Sequence, residues 1–109
     1  MKPEDWLTKN MEEYEVILSS LANKEWLKVI DWYNEKKEGL GFEVFDEIDE
    51  YLKRLKTMPY IHRRIDEEIR MSSTPRFHFG IFYVIRDNTV FVIGIRNLRE
   101  DYNNIFERI

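Results

Sequence analysis

The sequence predicts an α+β domain: a small antiparallel sheet packed on a helical hairpin, in the order β-α-α-β-β-β, with a short helix at the C-terminus. Three observations predict it. Apolar residues recur at helical spacing between Ala22 and Leu55, and beyond Arg64 the period falls to two, the spacing of strands. A chain of 109 residues supports one core and not two. Its 43% apolar and 15% aromatic content supplies enough burial to offset the entropy of ordering. Residues 1–109 are therefore expected to form a single domain, with 1–13 as a polar lead segment from which Trp6 and Leu7 are available to dock.

The elements follow in order. "YEVILSS", Tyr14 to Ser20, is rich in β-branched and aromatic residues and ends in a serine pair, which predicts a first strand. From Ala22 to Lys37, Ala22, Trp26, Val29, Ile30 and Tyr33 form a helical stripe, with Ser19, Ser20 or Asn23 as its cap. Gly39 in "EGLG" ends that helix. Phe42, Phe45, Ile48, Leu52 and Leu55 form the stripe of a second helix, which stops where Pro59 disfavours helical geometry at Met58. A linker of about four residues makes the two helices antiparallel neighbours. "RIDEEIRM" is read as an edge strand, "RFHFGIFYVIR" and "TVFVIGIRN" as a hairpin, and "LREDYNNIFERI" as a short closing helix. Asp87 and Asn88 tolerate the left-handed dihedrals that a two-residue hairpin turn requires.

That hairpin is apolar on both sides. A two-residue turn sets Phe82 opposite Ile93 and Val84 opposite Phe91, so Phe82, Val84, Phe91, Ile93 and Ile95 share one face. One helical hairpin covers only one face of such a sheet. The other face must be covered by the chain's own tails or by a partner. Because large apolar patches on soluble proteins mark binding sites, those five residues are expected to bind a partner.

Composition excludes several chemistries. Without cysteine there is no disulfide framework and no thiolate metal site, which suggests an intracellular, cytoplasmic protein. The first twelve residues lack the apolar core of a signal peptide, and no run approaches the ~20 apolar residues of a membrane span. His62 and His78 are sixteen residues apart, and no glycine-rich phosphate loop or nucleophile elbow occurs, so neither a metal, a cofactor nor a standard hydrolytic site is expected. Arginines are concentrated in the second half, and their planar forks suit phosphate or carboxylate.

Taken in order, the segment from "YEVILSS" through the Ala22, Leu27, Ile30, Tyr33 pattern, the "GLG" turn of Gly39 to Gly41, the helix ending before proline and "RFHFGIFYVI" resembles the RelE/ParE superfamily of bacterial toxins from type II toxin-antitoxin pairs. The resemblance covers about Tyr14 to Tyr102. It implies a toxin of the plasmid-stabilisation type whose cognate antitoxin wraps its apolar grooves, and a homodimer is a further possibility. If the chain resembles the members that cleave messenger RNA on the ribosome, Arg76, Arg86, Arg96 and Arg99 are the candidates to hold phosphate, with Tyr83 or Tyr102 for proton transfer. A net charge of −4 gives RNA docking no electrostatic help, whereas the members that inhibit DNA gyrase through protein contact need no basic surface. The sequence therefore favours the gyrase inhibitor over the nuclease. A non-toxic adaptor stands as the reading of a different class.

Overall fold

A computed structural model describes residues 13–109. The expected contribution of Trp6 and Leu7 lies outside the described residues. The elements are strand β1 (Glu15–Leu18), helices α1 (Ser20–Lys36) and α2 (Leu40–Arg54), strands β2 (Arg64–Asp66), β3 (Ile69–Ser73), β4 (Phe79–Arg86) and β5 (Thr89–Asn97), and a 3₁₀ helix (Asn103–Arg108). The five strands form one sheet in the order β1-β5-β4-β3-β2. Four of them are antiparallel; β1 joins the edge of β5 in parallel, which only the long excursion through both helices permits.

Each helix begins and ends for a local reason. Ser19 caps α1 by accepting from the Ala22 N–H at 3.0 Å. Gly39 at φ +83° occupies the left-handed region as the chain turns into α2. Two residues on, Gly41 packs directly against the backbone of Ile30, and its N–H donates to Asn34 Oδ1 at 2.7 Å. That close approach sets the rotation of α2. Its buried face is Gly41, Val44, Ile48 and Leu52, so Phe42, expected in the stripe, points to solvent, and Val44 takes its place.

"RIDEEIRM" is not one strand but a tight hairpin: β2 and β3 turn at Glu67, whose φ is +35°. Likewise β4 begins only at Phe79, after a turn in which His78 adopts φ +57°. In that turn the N–H groups of Arg76 and Phe77 donate to the two oxygens of Glu47 at 3.0 and 3.1 Å, tying it to α2.

The β4–β5 hairpin turns at Asp87 and Asn88, and Val84 lies opposite Phe91 as the sequence predicts. Farther from the turn the register differs. A bulge between Phe82 and Tyr83 sets Phe82 opposite Gly94 and Ile81 opposite Ile95. The extra residue reverses the parity of the strand. Ile95, expected on the face with Phe82, therefore lies on the helix side among Ala22, Val29, Ile48, Ile81 and Tyr83.

The second face is covered by the chain itself. Ile105 of the 3₁₀ helix packs with Ile69, Phe82, Val84 and Ile93, flanked by Ile65, Met71, Leu98, Tyr102 and Phe106. Gly94 makes room for it, since a Cβ there would collide with Ile105 Cδ1. Phe82, Val84 and Ile93 are consequently core residues of the monomer and not the bare surface expected; of the five, only Phe91 remains substantially exposed, at 38%.

Candidate functional site

The features that a partner or substrate would meet lie at opposite ends of the sheet. At the Asn97 end, β5 outruns its neighbour: β1 pairs only with Thr89 to Val92. Past that point the open edge of β5 is capped by side chains. Arg108 donates to the Ile93 carbonyl at 2.9 Å, and Glu25 of α1 accepts from the Ile95 N–H at 3.1 Å. The two side chains also pair through Nη1–Oε1 at 2.8 Å and Nη2–Oε2 at 3.2 Å, while Arg96 Nε lies 3.6 Å from Glu25 Oε2. One carboxylate thus ties the tail, the bulge and α1 together. Charged hydrogen bonds of this kind contribute about 1.5–3 kcal/mol when partly shielded. Glu25→Ala and Arg108→Ala should each lower unfolding free energy by about 1–3 kcal/mol in urea titrations. Their combined effect should fall short of additivity by more than about 0.5 kcal/mol.

Beside this clamp runs a groove of about 310 Å³, with Val29, Phe79 and Ile95 among its apolar lining and Glu25, Lys28 and Arg96 among its charged groups. Trp32 and Tyr33 complete its aromatic wall. Burial raises the Tyr33 pKa above its ordinary value, with Arg99 opposing, and Asn97 Nδ2 donates to its hydroxyl at 3.4 Å.

Of the residues nominated for phosphate handling, Arg86 stands apart, at the turn end of the β4–β5 hairpin. Arg76 pairs with Glu43 at the start of α2, and Arg86 with Glu68 beside the β4–β5 turn. Arg96 belongs to the clamp and also donates to Asn104 Oδ1 and the Asp101 carbonyl at 2.9 and 3.0 Å. Arg86 lies opposite Thr89 and Arg96 opposite Gly80, six positions apart along β4, or roughly 20 Å at ~3.3 Å per residue. Arg99 is exposed beside Asn97. Tyr102 packs on Phe82 at 5.2 Å on the tail side, and Tyr83 is buried on the helix side, so the two hydroxyls belong to opposite faces. Arg76, Arg86 and Arg96 each have a local structural partner, and Arg99 is exposed.

At the other end, three side-chain interactions hold the loop between α2 and β2. The Tyr83 hydroxyl donates to the Pro59 carbonyl at 2.6 Å, and Arg70 Nη1 donates to the carbonyls of His62 at 2.5 Å and Tyr60 at 3.5 Å. Burial drives the Tyr83 pKa far above 10, with Arg70 opposing. Because the folded protein resists losing this proton and the unfolded chain does not, the contribution is intact below pH ~10 and disappears as pH rises beyond it. Tyr83→Phe should cost about 1–2 kcal/mol at neutral pH and flatten the alkaline fall in stability, read by denaturation at pH 8 to 11. Sequence reasoning missed both Glu25 and this loop. The signal for the loop was available: residues 51–65 hold five lysines and arginines and no carboxylate.

The sheet thus carries the helical hairpin on one face and the short C-terminal 3₁₀ helix on the other. Two solved structures share the fold: the chromosomal ParDE toxin-antitoxin system of P. aeruginosa and an arginine-to-alanine double mutant of the E. coli toxin RelE in the free state. The first has a TM-score of 0.70 at 15% identity, covering 81% of this chain and 97% of that one. The second has a TM-score of 0.65 at 19% identity, covering 88% and 93%. No curated protein matches the sequence. The family model for the ParE toxin of the type II toxin-antitoxin system parDE matches residues 16–102, and the chain belongs to that family. It is a ParE-like type II toxin, and membership implies a cognate antitoxin. Among the described residues no helix is long and apolar enough to cross a membrane.

Proposed function

We propose that this toxin acts in the cytoplasm by inhibiting DNA gyrase through protein contact, and that its antitoxin neutralises it by occupying the α1 groove and the neighbouring sheet edge. The observation that carries the first part is the engagement of the arginines: Arg76, Arg86 and Arg96 are each paired with a carboxylate, and Arg86 and Arg96 sit near opposite ends of β4. In-line attack on an RNA phosphodiester needs cationic donors and a proton-transfer group converging on one phosphate. This arrangement supports contact inhibition instead. Of the five residues first assigned to partner binding, Ile95 lines the groove, and Phe91 is exposed opposite Ile17 of β1, itself 40% exposed. Those two support the second part; Phe82, Val84 and Ile93 would be reached only by displacing the tail.

Purified protein added to gyrase and relaxed plasmid should block supercoiling and accumulate cleaved DNA, while leaving messages intact in a translating extract. Message cleavage in the extract without gyrase inhibition would overturn the reading in favour of a nuclease. Inactivity in both assays, with normal growth on expression, would leave a non-toxic adaptor.

A further inference from the structure

The loop from Lys56 to Arg64 presents apolar side chains outward on a backbone that the sheet holds from beneath. Met58, Tyr60 and Ile61 are 53%, 57% and 63% exposed, and Ile61 is the most exposed large apolar residue described. An unconstrained loop of this composition would collapse onto the protein. Here the carbonyls of Pro59, Tyr60 and His62 are held by Tyr83 and Arg70, and the Arg70 guanidinium lies 5.1 Å over the Tyr60 ring, which Tyr14 braces edge-on at 6.1 Å. Pinning leaves little loop entropy to lose on docking, which is how a preorganised contact gains affinity.

The charge around it is equally specific. Residues 51–65 contain five of the chain's 17 lysines and arginines and none of its 21 carboxylates. Lys53 and Arg54 pair back to Asp49 and Glu50 on α2. Lys56, Arg63 and Arg64 form no ion pair among the described residues, and all three are exposed.

We infer that this loop is the toxin's target-contacting surface, and that it fits an apolar pocket ringed by carboxylates on gyrase, with Ile61 and Tyr60 inserted and Lys56, Arg63 and Arg64 on the rim. The inference rests on the gyrase reading above. A protein pocket fits better than a nucleic acid for two reasons. Met58 and Ile61 match nothing on a phosphate backbone. A DNA duplex, with one charge per ~1.7 Å, would extend beyond the patch and meet the acidic remainder of a chain of net charge −4. The groove beside Glu25 lies at the other end of the sheet from this loop.

The test compares wild type, Ile61→Asp and Arg63→Glu/Arg64→Glu for surface-plasmon binding to purified gyrase and for inhibition of supercoiling, with Lys24→Glu/Lys37→Glu as an equal charge change elsewhere. All four positions of substitution outside Ile61 are exposed, as is Ile61 itself, so thermal midpoints should agree within about 2 °C. Ile61→Asp should weaken binding at least about tenfold, chiefly through faster dissociation, as expected for a buried apolar anchor. The double arginine variant should slow association about tenfold at low salt, a difference that shrinks as salt screens the rim charges. Inhibition by wild type with unchanged binding by both variants would overturn the loop assignment while leaving the gyrase reading intact. Failure of wild type to bind or inhibit gyrase would overturn both. Tight binding of wild type to a plain duplex, lost in the arginine variant, would overturn the protein pocket in favour of DNA.

Discussion

Gly41→Ala should destabilise the domain by more than about 3 kcal/mol, a large fraction of the ~5–15 kcal/mol that holds a domain of this size together. The added Cβ would lie 2.7 Å from both Cα and C of Ile30 and closer still to its carbonyl oxygen. These are backbone atoms of α1, so no rotamer change relieves the clash; the helices must separate. Separation also stretches the Gly41 N–H bond to Asn34 and loosens Val44 and Ile48, both fully buried. The midpoint of thermal unfolding should fall by at least about 12 °C, taking ~4–8 °C per kcal/mol for a domain of this length. Gly39→Ala is the internal control. Nothing lies within 4 Å of a Cβ there, but φ is +83°, so the cost is backbone strain of about 1–2 kcal/mol, and Gly39→Asn should recover part of it. Equal effects at the two glycines would mean that the helices do not approach as closely at Gly41 as the packing requires.

The two glycines also mark where the sequence was informative. Helix spacing, the Gly-Leu-Gly turn and the Asp87–Asn88 turn are local signals, and each element they define is present. Register is different. Gly94 within "VFVIGI" carries no period of its own, so the bulge that moves Ile95 to the helix side could not be read from alternation. Nor did the sequence announce what covers the second face, though a signal existed. Leu98, Tyr102, Ile105 and Phe106 are spaced by four, three and one, the pattern of an apolar helical stripe, and all pack on that face. A segment of that length is too short to stand out by itself; its stability comes from the sheet it lands on. Among the arginines, Arg86 and Arg96 are ten residues apart in sequence, but pairing places one at the turn and the other near the open end of the hairpin, a separation that composition alone does not show.

Ile105→Ala should lower unfolding free energy by about 2–5 kcal/mol, the range for a fully buried large-to-small change. The alanine would leave a void over Gly94, which has no side chain of its own to fill it. Phe82, Val84 and Ile93 would then lose their shared neighbour. A stop after Tyr102 goes further. It removes Ile105, Phe106 and the Arg108 clamp at once, exposing the Phe82 face, freeing the Ile93 carbonyl and leaving Glu25 with Arg96 as its remaining cation. An exposed apolar face beside an open strand edge is an aggregation surface, so the truncated chain should bind a hydrophobic dye and elute as a broad oligomer. The opposing view treats the tail as a loosely docked strap over an otherwise complete fold. That view predicts a sharp monomer peak for the truncation and a midpoint for Ile105→Ala within about 2 °C of wild type. The buried contacts of Ile105 argue for the first outcome, because a strap held only by the Arg108 pair would not need a glycine cut to its shape.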